Sequence, residues 1–138
     1  VRRSLEELAI ELACQRMTDE EIEQLGERQN DFKNAINKGN AMNIAETDEA
    51  FHDVIYLGTG NDKLVQILNN LREQMYRYRF EYIKDFSQHE RLVEEHKVIY
   101  ESIVKKDKET ASNMAKVHID NQKKAIIRQI RLEREKNK

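Results

Sequence analysis

Asp48 and His52 stand four residues apart, and His96 and His118 follow further along the chain: one carboxylate and three imidazoles. On a helix, residues i and i+4 lie one above the other, so Asp48 and His52 can grip one ion from a single face. Three nitrogens and a carboxylate oxygen suit zinc, nickel, cobalt, iron(II) or manganese better than calcium or magnesium, which favour all-oxygen shells. Four protein ligands close a tetrahedral site, whereas an octahedral ion keeps two positions free for water or a ligand. A plainer reading competes with this one. A single histidine on an apolar face is more often a core residue satisfied by a neighbour, and spacing alone leaves both readings open.

The faces that carry these residues bear on the choice. One helical face reads Ile44, Asp48, Phe51, His52, Ile55; a second reads Leu92, His96, Ile99, Ile103; a third reads Ala111, Ala115, His118, Gln122, Ala125. Three histidines therefore point inward from three helices, while His89 falls in a polar first turn and is expected to face solvent. Burying Asp48 is costly unless its charge is paired. A divalent cation would pair it and would also satisfy the imidazole nitrogens facing it.

The elements that must position these side chains are helices. The 138 residues include no proline and only four glycines, so little interrupts a helix. Leu5, Leu8, Ala9 and Leu12 predict a helix over 2–16. Thr18 with Glu21 forms a capping-box pattern for a second helix, which Gly39 ends. A third runs over 41–57, stopped by Gly58-Thr59-Gly60. Asn61 caps a fourth, with the stripe Leu64, Leu68, Leu71, Met75, Tyr78, Tyr82. Ser87 with Glu90 repeats the capping box for a fifth helix ending near Lys105, and Asp107 caps a sixth running to about 135. The expectation is all-α: an antiparallel bundle of about six helices, with the metal site in its interior.

Composition bounds the rest. One domain fits the length, and no apolar stretch approaches a membrane span. The net charge of −2 is unevenly spread: residues 121–138 carry seven basic and two acidic side chains. A solvated helix end accounts for that run better than a nucleic-acid footprint. The lone Cys14 excludes an intrachain disulfide and a Cys-based zinc cluster, and suits a reducing, cytoplasmic setting. The chain begins in mid-helix at Val1 with no signal peptide, as expected of a piece of a longer protein.

In that order the motifs resemble the FCD domain, the C-terminal effector-binding domain of FadR-like GntR transcription regulators. The resemblance begins with Val1-Arg2-Arg3-Ser4-Leu5-Glu6 and continues through Thr18-Asp19-Glu20-Glu21. It includes Asp48-Glu49-Ala50-Phe51-His52, Gly60-Asn61-Asp62-Lys63-Leu64 and Glu95-His96-Lys97-Val98-Ile99, and closes with Asp107, Ala111 and His118. It implies a single effector-binding and dimerisation domain over 1–138, FCD-like in fold and homodimeric. It also implies one divalent transition metal on Asp48, His52, His96 and His118, zinc or nickel first, with iron, cobalt or manganese also compatible. A small carboxylate effector would be met by Arg2 and, more weakly, Arg79. For both arginines the competing reading is a salt bridge, Arg2 with Glu6 for instance. Asn61 is a cap rather than a ligand contact. Members of the family carry an N-terminal winged helix-turn-helix, to which nothing in these residues corresponds. DNA contact would therefore come only through a domain not in this sequence.

The leading functional expectation is thus a metal-dependent organic-acid sensor, not an enzyme. A helical-bundle metalloenzyme is the first alternative. Di-iron bundles need two Glu-x-x-His motifs; here only Glu49 and His52 match, Glu49 turns away, and no spare inward carboxylate is expected to serve as a base. A metal-free helical interaction domain is the second.

Overall fold

Side-chain caps set most of the helix boundaries. The computed structural model describes residues 2–137; Val1, the first residue of the opening motif, and Lys138 lie outside them. Helix α1 covers Arg2–Arg16. Thr18 and Glu21 form the expected reciprocal capping box at the start of α2 (Asp19–Lys38), and Gly39 closes it at φ 75°. Asn40 caps α3 (Ala41–Leu57), Asn61 caps α4 (Asp62–Asn70), and Asp107 caps α7 (Lys108–Lys136). Among the described residues there is no strand.

Two boundaries differ from expectation. The stripe from Leu64 to Tyr82 is carried by two helices, α4 and α5 (Arg72–Ile83), so the described residues form seven α-helices rather than about six. The ladder breaks at Leu71 (φ −98°, ψ 3°), yet Leu64, Leu68, Met75, Arg79 and Tyr82 stay in phase across the break. Periodicity therefore could not reveal it. Arg72 fixes the restart by pairing with Asp53 at 2.8 Å and with Glu49 on α3. At the other boundary, Ser87 does not cap. Asp85 accepts the Ser87 N–H and opens a short 3-10 turn, Phe86–Gln88, from which α6 (His89–Val104) starts without a side-chain cap. An aspartate bonding two residues ahead competes directly with a Ser cap.

Helix α7 packs on α1, α5 and α6; α2 packs on α3 and α6; and α3 also meets α5 and α1. Their shared interior has two apolar clusters. One contains Ile10, Met17, Phe51, Ile55, Met75, Ile99, Ile103 and Ala115. The other contains Phe32, Ile44, Tyr82, Leu92 and Ala125. Five helices pass from one cluster to the other, and at four of the changes a polar side chain is buried: Asp48 and His52 on α3, Arg79 on α5, Glu95 and His96 on α6, His118 and Gln122 on α7; on α2, between Leu25 and Phe32, none is. The clusters thus clamp a polar layer from both ends. The α1–α2 elbow is fixed separately. Met17 packs so tightly on Gly58, at the end of α3, that a Cβ there would overlap its side chain, and Arg16 donates to the Thr59 carbonyl at 2.9 Å. No described helix is long and apolar enough to cross a membrane.

Candidate metal centre

Each helix supplies its part of the polar layer by register. Asp48 and His52 are one turn apart on α3, His96 lies between Leu92 and Ile99 on α6, and His118 lies one turn beyond Ala115 on α7. All four are buried; Asp48 is 2% exposed and His96 0%. One ligating atom from each lies within 4.8 Å of the other three. Atoms bound to one ion at about 2.1 Å lie about 3.4 Å apart in a tetrahedral shell, so loading the site draws the more distant pairs together by up to about 1.4 Å. The Asp48 Oδ1 atom is 2.9 Å from His96 Nε2 and 3.4 Å from His52 Nε2. The three imidazoles form a nearly equilateral triangle, with centroids 5.5–5.6 Å apart.

Hydrogen bonding tests whether these residues fit a cation. His52 Nε2, His96 Nε2 and His118 Nε2 are buried and make no hydrogen bond. The short His96–Asp48 approach lacks the alignment of a donor and an acceptor. Leaving a buried polar atom unpaired costs about 1–3 kcal/mol, so three together demand a partner. A cation bound by Asp48 would satisfy all three. Burial holds the His52 imidazole down to about 3 and lowers His96 as well. Burial pushes Asp48 the other way, but His52 and His96 outweigh it and hold its carboxyl well below the usual range. Neutral imidazoles beside an ionised carboxylate are the protonation states that a metal requires.

The positions of two ligands are fixed by groups beyond the four. Glu95, one residue before His96, accepts from His118 Nδ1 at 2.7 Å, which leaves Nε2 aimed at the centre. Tyr82 Oη and Asn121 Nδ2 complete the Glu95 carboxylate at 3.0 and 2.9 Å. His96 is wedged between Phe32 and Phe51, with centroids 4.1 and 4.4 Å away.

The two candidate arginines lie at different depths. Arg79, the weaker candidate, is fully buried, and its Nε lies 3.9 Å from Asp48 Oδ2. Tyr78, placed on the inward stripe, is half-buried instead and lies under Arg2, whose guanidinium stands 4.9 Å from its ring. Arg2 sits at the rim and pairs with Glu6 at 3.4 Å, the alternative weighed for it, while donating to Gln122. Both arginines converge on Glu6. Arg79 Nη2 donates to Glu6 Oε1 at 2.8 Å and to Tyr56 Oη at 2.5 Å, and Tyr56 donates to the same carboxylate oxygen at 2.9 Å. Glu6 and Glu95 are thus two buried inward carboxylates, which corrects the expectation of none. Burial alone would raise both, but Arg79 and Arg2 hold Glu6, and His118 and Asn121 hold Glu95, below their ordinary values. His89 also departs from expectation: it is half-buried, its Nε2 2.9 Å from the Ile83 carbonyl, and remote from the cluster. Asn61 caps its helix, as expected, and Glu49 turns away from the cluster to pair with Arg72.

A cavity of about 10 Å³ touches Glu6, His52, Tyr56 and His118, room for about one water. A concavity of about 450 Å³ between α5 and α7 includes none of the four clustered residues. Volume and chemistry point to different places, and the buried donors and acceptors are the better guide to a specific site.

Comparison with known proteins agrees with the architecture. The family model of the FCD domain matches residues 1–121. A Bacillus subtilis (strain 168) protein described as an HTH-type transcriptional regulator, YdhC, is 26% identical over 121 residues, which cover 87% of this chain and 54% of that protein. The chain thus spans about half the length of that relative. The solved structure of E. coli McbR/YncC superposes with a TM-score of 0.80 at 22% identity, covering 93% of this chain and 64% of that one. At that identity the likeness concerns the fold.

Proposed function

The chain belongs to the FCD-domain family, and from that membership we propose that it is the metal-dependent, effector-sensing domain of a GntR-type transcription regulator. The relative described as an HTH-type regulator supports the regulatory half of this reading. The chemical half is carried by one observation: three unpartnered imidazole nitrogens converge with Asp48 beside a buried arginine. Asp48, His52, His96 and His118 would hold one divalent transition metal, zinc or nickel first. Bound there, the ion would supply a Lewis-acidic centre of net charge about +1 once Asp48 is counted, which favours anions. Arg79 and Arg2 add guanidinium forks suited to a carboxylate.

The effector on this reading is a small organic acid. The cavity holds about one water, so an acid enters only if helices shift, and binding is thereby coupled to packing. In a homodimer, such a shift would alter the spacing of two DNA-binding heads. Calorimetry with zinc-loaded and metal-stripped protein against acetate, succinate, malate and citrate tests the reading. At least one acid should bind the loaded form and lose affinity on stripping, and Arg2→Lys should weaken binding with the metal retained. Indifference of every acid to the metal would defeat it. Turnover of any acid would favour the enzyme alternative.

A further inference from the structure

We propose that Glu6 is an internal occupant of the effector's carboxylate subsite, and that an arriving acid takes its place between Arg79 and Tyr56. This rests on the sensor reading above and adds to it the identity of the group that must leave. Three donors from three helices surround the Glu6 carboxylate: Arg2 on α1, Tyr56 on α3 and Arg79 on α5. Such a set is what a carboxylate ligand requires, yet the anion in it is carried by α1 itself.

Two details mark Glu6 as an imperfect tenant. Arg79 engages it through Nη2 alone, while Arg79 Nε is buried with no hydrogen-bond partner. A free carboxylate, unconstrained by a helix, can use Nε and Nη2 together in the fork geometry that Glu6 does not reach. The remaining space is also too small for a second anion. The cavity bounded by Glu6, Tyr56, His52 and His118 is about 10 Å³, so an acid reaching from Arg79 toward the histidines cannot coexist with Glu6 in its present position. Exchange of one carboxylate for another leaves the charge of the polar layer unchanged, which a neutral ligand of the same size would not do. Exclusion of alcohols and amides follows from the same bookkeeping.

Displacement has a mechanical result. Glu6 belongs to α1, one turn from Arg2, and its carboxylate is tied to α3 and α5 through Tyr56 and Arg79. An acid that takes those two partners cuts that tie. The N-terminal half of α1 then keeps its apolar contacts and the Arg2 and Arg3 contacts to α7, but no polar tie to α3 or α5, while the elbow at Met17 remains fixed on Gly58.

Titration of the zinc-loaded chain with acetate, succinate and citrate, as wild type, Glu6→Gln and Glu6→Ala, tests this. An intramolecular competitor acts at millimolar or higher effective concentration, so its removal should tighten binding of at least one acid tenfold or more in Glu6→Ala. Glu6→Gln keeps the shape but not the charge, and should tighten the same acid at least threefold; it carries the test if Glu6→Ala does not fold. Acid should speed amide exchange over residues 5–12 of the wild type and leave it unchanged in Glu6→Ala. Binding by both variants with no binding by wild type also supports displacement. Equal or weaker binding by both variants, with wild-type binding intact, overturns displacement and leaves the sensor reading standing. Absence of binding by all three proteins overturns both.

Discussion

Replacing Glu95 by glutamine removes one negative charge from the polar layer and exchanges the carboxylate oxygen that accepts from Asn121 for an NH2 group. The carboxylate accepts from His118 Nδ1 at 2.7 Å in a buried setting. A hydrogen bond to a charged group contributes about 1.5–3 kcal/mol and a neutral one about 1. The glutamine oxygen can still accept from Nδ1, so at His118 the change is one of charge, a difference of about 1–1.5 kcal/mol. That difference reaches a bound ion through the basicity of His118 Nε2, which corresponds to roughly tenfold weaker metal affinity, the low end of the range for groups that orient a ligand. Competition for zinc against a chromogenic chelator measures it. Glu94→Gln, one residue away on the exposed side of α6, should leave affinity unchanged. In the His118→Ala background, Glu95→Gln should have little further effect, because the path through His118 is already gone. A Glu95→Gln affinity within twofold of wild type, or full additivity with His118→Ala, would refute the orienting role.

Three other outcomes follow from the same geometry. Elemental analysis after reconstitution should give about one ion per chain, with a sharp loss for His118→Ala and none for His89→Ala; equal losses would mean that the ion lies elsewhere. Metal at a hundredfold excess over Kd should stabilise the fold by about 2.7 kcal/mol, which for a chain of this size raises Tm by roughly 10 °C; an unchanged Tm after verified loading would count against a buried site. In metal-free protein, burial holds His52 and His96 below the unfolded histidine value of about 6.5. Below that pH the unfolded chain binds protons the folded one refuses, so stability falls with pH. The depressed carboxyls of Asp48, Glu6 and Glu95 add a loss of the same sign below about 4.5. The metal-free Tm should therefore drop between pH 7.5 and 5; a flat or rising Tm would contradict the assignment of neutral buried imidazoles.

Much of this was legible in the sequence because the two strongest local codes agreed. Caps such as Thr18, Asn61 and Asp107 fixed the helix starts, and the 3.6-residue period fixed which histidines turned inward. What escaped had a physical cause in each instance. The break at Leu71 leaves the apolar stripe in phase, so no pattern registers it. At the start of α6, two capping chemistries competed, and the nearer Asp85 prevailed over Ser87. Arg79 stands below Arg2 on the resemblance, with a surface salt bridge as its competing reading; a buried counter-ion such as Glu6 is what allows a guanidinium into the interior instead. Glu6 and Glu95 were findable. Glu6 shares a face with Ala9, Ile10 and Ala13, and Glu95 shares one with Leu92, Ile99 and Ser102. A carboxylate on an apolar stripe is the same signal that singled out Asp48.

The contact between Met17 and Gly58 gives α1 the geometry of a lever. Its far end is pinned where no side chain can be added to Gly58 without moving Met17. From Met17 back to Arg2 the helix rises by about 22 Å at 1.5 Å per residue. A tilt of only about 5° at that pivot would carry Arg2 roughly 2 Å sideways while Ala13 and Cys14 scarcely move. Displacements too small to disturb the packing of the elbow would thus be magnified at the opposite end of the helix. Lengthening the side chain at position 58 should stiffen or jam that motion without touching a single residue of the polar layer.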